Sequence, residues 1–201
     1  MRLFVFARHA ESAANTEHLL SSDPARPIRL TPCGRRQAQR LGEQIANLEI
    51  ERAVCTRFLR TQQTVEIALL GRGVPVAVEA SLDEVRAGAF DGAPIQAYWA
   101  WRQQHARSER FPLGESLDDA VRRYADALRR LLQRTEAITL IVSHELAVRC
   151  IADAATPGRV PDRSEFGIPN AVPYLFDEHG LRRAVDSFAD LTPVGRAHKT
   201  A

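Results

Sequence analysis

Leu3-Phe4-Val5-Phe6-Ala7-Arg8-His9 and Ile138-Thr139-Leu140-Ile141-Val142-Ser143-His144 are the two stretches whose reading decides the fold. Arg2 to Ala7 and Ile138 to Val142 each form a short apolar run, the pattern of a strand covered on both faces. Each run closes on a histidine. Around them the chain alternates strands and helices. Thr31-Pro32 is a helix start, with a capping hydroxyl and a proline in the first turn. Ala38, Leu41, Ile45 and Leu48 follow at helical spacing. Ala53 to Cys55 reads as a short strand, Phe58 to Leu70 as a helix stopped by Gly71 and Gly73, and Val74 to Val78 as another strand.

Further along, Leu82 to Pro94 reads as a loop and Ile95 to Ala106 as a helix. Ser116, with Asp119 three residues on, predicts an N-cap. After it Leu117, Ala120, Val121, Tyr124, Leu128, Leu131 and Leu132 form one apolar face, and Arg122, Arg123, Asp126, Arg129 and Arg130 fall opposite, as a solvated face. A helix from His144 to about Ala155 follows the second apolar strand. Val172 to Phe176 and Leu181 to Val185, separated by Asp177 to Gly180, predict a hairpin. This order implies an α/β fold: one domain over residues 1–190, three layers α/β/α, a mostly parallel sheet with helices on both faces, and a loose tail over 191–201. Ligands of such sheets bind beyond the carboxyl ends of the strands. If the two strands lie side by side, His9 and His144 share one crevice.

The bulk numbers narrow the function. The chain has 201 residues, 45% hydrophobic and 26% charged, with a formal charge of +2. Nothing in that balance predicts nucleic-acid or membrane binding, so any anion must be held by a local cluster of cations. No apolar run approaches the ~20 residues of a bilayer span. Met1 to Ala7 lacks the features of a signal peptide, which predicts a cytoplasmic protein. Cys33, Cys55 and Cys150 are odd in number and widely spaced, which predicts reduced thiols. No His/Cys/Asp cluster has metal-ligand spacing, so neither metal nor cofactor is expected. No pattern speaks to oligomeric state.

A phosphate monoester carries nearly two negative charges. Its hydrolysis needs rigid cations, an in-line nucleophile and an acid for the leaving oxygen. Arg8, His9, Arg60 and His144 fall at strand ends or an adjacent helix start, and Glu84 lies in a loop able to reach over them. At these residues the chain resembles the histidine phosphatase superfamily, also called the phosphoglycerate mutase-like family. The resemblance runs in order through Arg8-His9-Ala10-Glu11-Ser12 with Asn15, Leu30-Thr31 with Gly34 and Gln37-Ala38, and Thr56 to Arg60 with Gln63-Thr64. It continues through Leu82 and Glu84 with Gly88 and Gly92, Gly114-Glu115-Ser116, Ser143-His144 and Pro169-Asn170-Ala171. It implies His9 as a nucleophile that becomes phosphorylated. It implies Arg8, Arg60 and His144 around the phosphoryl group, Asn15 as a phosphate or substrate contact, Glu84 as general acid and then base, and no metal. Glu11 is expected to play a supporting, hydrogen-bonding part.

Three positions depart from the family pattern. Ala10 replaces a glycine, Thr56-Arg57 replaces a Ser-Pro pair, and Glu145 replaces the glycine after the second histidine. Two hypotheses attend Glu145: it turns from the pocket and pairs with Arg149, or it recognises a cationic or hydroxyl group on the substrate. The expected activity is a metal-independent phosphatase acting on a small phosphorylated metabolite. The alternatives are a phosphoglycerate-type mutase, with Arg102, Arg107 and Arg110 meeting an acidic substrate, and a non-catalytic phospholigand-binding or regulatory module. Loop Glu17 to Pro27 and segment Pro94 to Gly114 are the expected substrate wall, with Trp99, Trp101 and Phe111 as candidates. Sugar phosphates, nucleotides, ribazole phosphate and phosphohistidine proteins stand as candidate substrates.

Overall fold

A computed structural model describes residues 2–156 and 167–190. The elements run β1 (Leu3–Arg8), α1 (Ala13–Thr16), α2 (Pro32–Gln44), β2 (Arg52–Cys55), α3 (Leu59–Ala68), β3 (Val76–Val78), α4 (Ile95–Gln104), α5 (Leu117–Leu132), β4 (Ile138–Ser143), α6 (Glu145–Ala155), β5 (Pro173–Asp177) and α7 (Glu178–Asp190). The sheet order is β3-β2-β4-β1-β5. β1 to β4 run parallel to their neighbours and β5 is antiparallel to β1.

Side chains alternate across a strand, and the sheet divides its apolar residues accordingly. Phe4, Phe6, Val54 and Ile141 face a core shared with Tyr124 and Leu128 of α5, Ile151 of α6 and Leu181 of α7. Val5, Ala7, Ala53, Leu140 and Val142 face the opposite core, with Ala38 and Leu41 of α2 and Val65 of α3. Helices therefore cover both faces, giving the three layers expected. Thr31 caps α2 by accepting from Gly34 N–H at 2.9 Å, and Ser116 caps α5 with Asp119 closing the capping box. Among the described residues no helix is long and apolar enough to cross a membrane. The three cysteines are free thiols.

The chain departs from the sequence reading at two places. Leu181 to Val185 is part of a helix, not the second arm of a hairpin. Asp177 Oδ1 accepts from Gly180 N–H at 2.7 Å and so starts α7 rather than a turn. Leu181, Ala184, Val185 and Phe188 then recur at helical spacing and are buried. The partner of β5 is β1, far away in sequence. Secondly, the charged face of α5 is not uniformly solvated, because Arg123 turns inward beneath the loop that carries Glu84. The expected tail, 191–201, lies outside the described residues.

β1 and β4 pair with Ala7 opposite Val142 and Arg8 opposite Ser143. His9 N–H then donates to Ser143 O at 2.9 Å. That register brings the two histidines to the same edge of the sheet, one residue past each strand.

Candidate active site

His9 and His144 are almost wholly buried, with ring centroids 5.5 Å apart. Arg60, in the first turn of α3, joins them. Its Nε donates to His9 Nε2 at 3.0 Å and its Nη2 to His144 Nδ1 at 3.1 Å. A guanidinium only donates, so both ring nitrogens must present lone pairs. The protons therefore sit on the opposite nitrogens. His9 Nδ1 donates to the Ala10 carbonyl at 2.8 Å, and His144 Nε2 donates to Thr56 Oγ1 at 3.0 Å. Burial is the largest cause holding both imidazoles well below the usual histidine range, and the Arg60 charge comes next. Both rings are thus neutral before any anion arrives.

Arg60 is itself fixed on every side. Ser21 takes two of its bonds, Oγ from Nη1 at 3.1 Å and the carbonyl from Nη2 at 3.0 Å. The guanidinium lies 4.4 Å over the Phe58 ring, a cation–π contact. Burial lowers its pKa to about 10, so it stays charged at neutral pH.

Arg8, at the end of β1, donates from Nη1 to Ile168 O at 2.8 Å and lies 3.0 Å from Glu145 Oε2. Its Nε is buried with no hydrogen-bond partner among the described residues. A buried N–H of this kind, in a cleft already rich in positive charge, is placed to donate to an anion's oxygen. Glu84 reaches the same cleft. Its Oε2 is 3.9 Å from His144 Nδ1 and its Oε1 accepts from Val85 N–H at 3.0 Å. Burial raises the Glu84 pKa; Arg60 opposes that shift and Glu145 adds to it.

Glu145, the first residue of α6, pairs with Arg149 at 3.4 Å as one hypothesis expected, but it does not turn away. It lines the cleft because Arg8, one strand over, holds its other oxygen. Asn15 also lines the cleft, with its Oδ1 committed to Ser12 N–H and Oγ, both at 2.9 Å. Glu11 Oε1 accepts from Thr31 Oγ1 at 2.5 Å, a tie between the loop after His9 and the cap of α2. Arg57 is turned from the cleft by Asp83 at 2.6 Å.

The rest of the wall is Ser12, Ala14, Leu19, Leu20, Ser21 and Ile95. Loop Glu17 to Pro27 supplies Leu19, Leu20 and Ser21, but segment Pro94 to Gly114 contributes only Ile95. Trp101 and Phe111 pack on each other, 4.4 Å between centroids, inside the core. Trp99 is exposed elsewhere. Arg107 and Arg110 are drawn to Asp118 and Asp119, and Arg102 donates to the His105 and Ala106 carbonyls. None of these three arginines lines the cleft.

Sequence reasoning missed Ser21, which no motif marks, and the hydroxyl chain behind the histidines. Thr61 Oγ1 lies 2.9 Å from Thr56 Oγ1 and donates to Phe58 O at 2.8 Å, and Thr64 Oγ1 accepts Ala10 N–H at 3.0 Å. Asn170 Nδ2 donates to His9 O at 2.7 Å. Asn170 and Thr64 were both inside recognised blocks, but their partners were not readable. Among the described residues no group of three or more His, Cys, Asp or Glu is placed to hold a metal ion.

The profile of the histidine phosphatase superfamily (branch 1) matches residues 4–191. A Klebsiella pneumoniae protein named "Probable phosphoglycerate mutase GpmB" is 30% identical over 152 residues, covering 72% of this chain and 70% of that one. The α-ribazole phosphatase from Shigella flexneri superposes with a TM-score of 0.74 at 23% identity, over 87% of this chain and 90% of its own. A mycobacterial glucosyl-3-phosphoglycerate phosphatase in complex with VO3 superposes with a TM-score of 0.74 at 21% identity, over 88% and 93%.

Proposed function

The chain belongs to branch 1 of the histidine phosphatase superfamily, and from that premise we propose that it is a metal-independent phosphomonoesterase of small phosphorylated metabolites, working through a phosphohistidine on His9. The observation that carries this reading is the tautomer forced on His9. With Nδ1–H donated to the Ala10 carbonyl, the lone pair of Nε2 is held at the cleft by Arg60 Nε–H and is freed for attack when that N–H turns to a phosphoryl oxygen; beside it lies Arg8 Nε, without a partner among the described residues.

The chemistry divides into two displacements. His9 Nε2 attacks phosphorus, the phosphorus–oxygen bond to the leaving group breaks, and the Glu84 carboxyl proton passes to that oxygen. Burial, which raises the Glu84 pKa, favours the protonated form this step needs. Water then attacks the phosphohistidine and gives its proton to Glu84. The phosphorus–nitrogen bond breaks with its electrons returning to Nε2. Arg8 and Arg60 hold the phosphoryl oxygens in both steps, where fixed donors in a water-poor site act most strongly. His144 Nδ1, an acceptor while neutral, becomes a donor by taking a proton as the dianion enters.

The relatives named as phosphoglycerate mutases favour a second reading, transfer between phosphoglycerates. The described wall supports it poorly. Beyond the cage it presents Ser12, Asn15, Ser21, a few apolar side chains and the carboxylate of Glu145, and no third cation for an acidic substrate.

The test is hydrolysis of p-nitrophenyl phosphate with and without chelator. Turnover should survive chelation and vanish in His9→Ala, and quenched wild-type protein should carry an acid-labile phosphoryl group. Activity lost to chelator contradicts the metal-free mechanism. Turnover that persists in His9→Ala contradicts the nucleophile. Direct assay of phosphoglycerate interconversion separates the mutase.

A further inference from the structure

The loop carrying Glu84 has little regular structure of its own, two 3-10 turns over Ala80–Leu82 and Gly88–Phe90. Its carbonyls point into the protein, where each needs a donor. Four successive ones find it in side chains. Ser81 O and Asp83 O accept from Arg123 Nη1 at 3.0 and 2.9 Å, and Glu84 O accepts from Arg123 Nη2 at 3.0 Å. Leu82 O accepts from Ser143 Oγ at 2.7 Å, one residue before His144.

Arg123 is held in turn by Glu115. That carboxylate is 2% exposed and takes bonds from Nε and Nη2 of Arg123 and from Arg86 N–H just past Glu84. One guanidinium thus grips the loop on its inner side while its counter-ion grips the next turn. On the other side Asp83 is pinned by Arg57, whose Nε lies 2.6 Å away. Among the described residues the hydrogen bond to the Glu84 carboxyl group itself comes from the adjacent Val85 N–H, so its place over the cleft is set by its backbone.

We infer that Arg123, with Glu115 behind it, is the positioning residue of the general acid: it clamps the carbonyls of residues 81, 83 and 84 so that the Glu84 carboxyl group stands over the leaving oxygen. This rests on the phosphatase reading of the site. Arg123 touches no reacting atom, and it acts only through the loop. Its signature is therefore selective. An acid matters where the leaving oxygen is strongly basic, as in an alkyl phosphate, and little where the leaving group is a stable phenolate. Displacing a catalytic group by about 1 Å costs on the order of 100-fold.

The experiment measures single-turnover phosphoryl transfer from glycerol phosphate and from p-nitrophenyl phosphate, with thermal melting of every protein. Arg123→Met should slow transfer from glycerol phosphate about 100-fold and leave the first turnover of p-nitrophenyl phosphate within a few-fold. Glu84→Gln should give the same pattern, and the double variant should be no slower than Glu84→Gln alone. Arg122→Gln, on the neighbouring exposed position, should change neither rate. Arg123→Lys keeps the charge without the fork. It should show a milder loss with the same selectivity, and it decides the matter if Arg123→Met does not fold. Equal slowing of both esters, or no slowing in either Arg123 variant, overturns the positioning role. Wild-type protein that transfers from neither ester overturns the phosphatase reading instead.

Discussion

Arg60 Nε lies 3.0 Å from His9 Nε2, so the same guanidinium that would hold the phosphoryl group also orients the lone pair that would attack it. Both the donor direction and the distance come from the planar fork, and a point charge supplies neither. Arg60→Lys should therefore keep the charge and still lose about 100- to 1000-fold in kcat, the scale of removing one preorganised donor. The His9 ring should also lose its fixed tautomer, visible in the nitrogen chemical shifts of labelled histidine.

The pH response of anion binding follows from His144. Without ligand its pKa lies well below 6.5, chiefly through burial. A bound dianion stabilises the protonated ring and moves the pKa up. Where the bound pKa exceeds the free one, binding takes up a proton, so affinity rises as pH falls between the two. Sulfate, whose own charge is fixed over that range, should bind more tightly at lower pH. In His144→Gln this dependence should flatten. An unchanged slope in that variant removes His144 from the proton uptake.

The same burial has a cost in stability. A histidine whose folded pKa is depressed binds fewer protons than in the unfolded chain. Stability contributed by His9 and His144 is complete above pH ~6.5 and declines as pH falls through that value toward the lower folded one. Glu84, raised, acts in the opposite sense, helping at low pH and losing that help as pH rises through its folded pKa. Urea midpoints should drop on acidification below about 6.5, and less steeply in His9→Gln.

Glu145 competes with any incoming anion for Arg8, 3.0 Å from its carboxylate. Part-buried pairs of this kind are worth about 1 kcal/mol, or roughly fivefold in affinity. Glu145→Gly should tighten inorganic phosphate binding by about that factor, measured calorimetrically. If the order of preference across a substrate panel also stays the same, Glu145 does not recognise the leaving group.

Gly34 has no room for a methyl group, since a Cβ there would stand 2.0 Å from the Glu11 carbonyl oxygen. The cost of forcing it in, about 1–3 kcal/mol by comparison with overpacked cores, exceeds the ~1 kcal/mol that alanine adds to a helix. Gly34→Ala should lower the melting temperature. Because Glu11 follows the His9-Ala10 turn, kcat should fall with it.

The parts of the site legible in the sequence were those written at strand ends. The apolar runs before His9 and His144 announce two buried strands, and their equal length makes a shared edge natural. What stayed hidden depends on which surface meets which. Arg123 sits among five charged residues on a helix face, and no local pattern tells that a loop 39 to 42 residues earlier folds across one margin of that face. Leu181 to Val185 is built mostly of helix formers, Leu, Arg and Ala, which the hairpin reading passed over, and its burial against α5 and α6 completes a helix face. Ser21 is a plain loop serine until Arg60 reaches it. Glu145 was legible as an anomaly, but its orientation needed the β1–β4 register that sets Arg8 beside it.

That register has one more outcome, for how the molecule comes into being. Leu3 pairs with Ile138 on one side and Asp177 on the other, so β1 emerges from the ribosome long before either neighbour exists. Phe4 to Ala7 must stay uncovered through most of synthesis, a stretch inviting capture by chaperones or by other nascent chains. A polypeptide stopped before β4 would hold His9 without His144 and would have no cleft, so a truncated product should show no phosphatase activity.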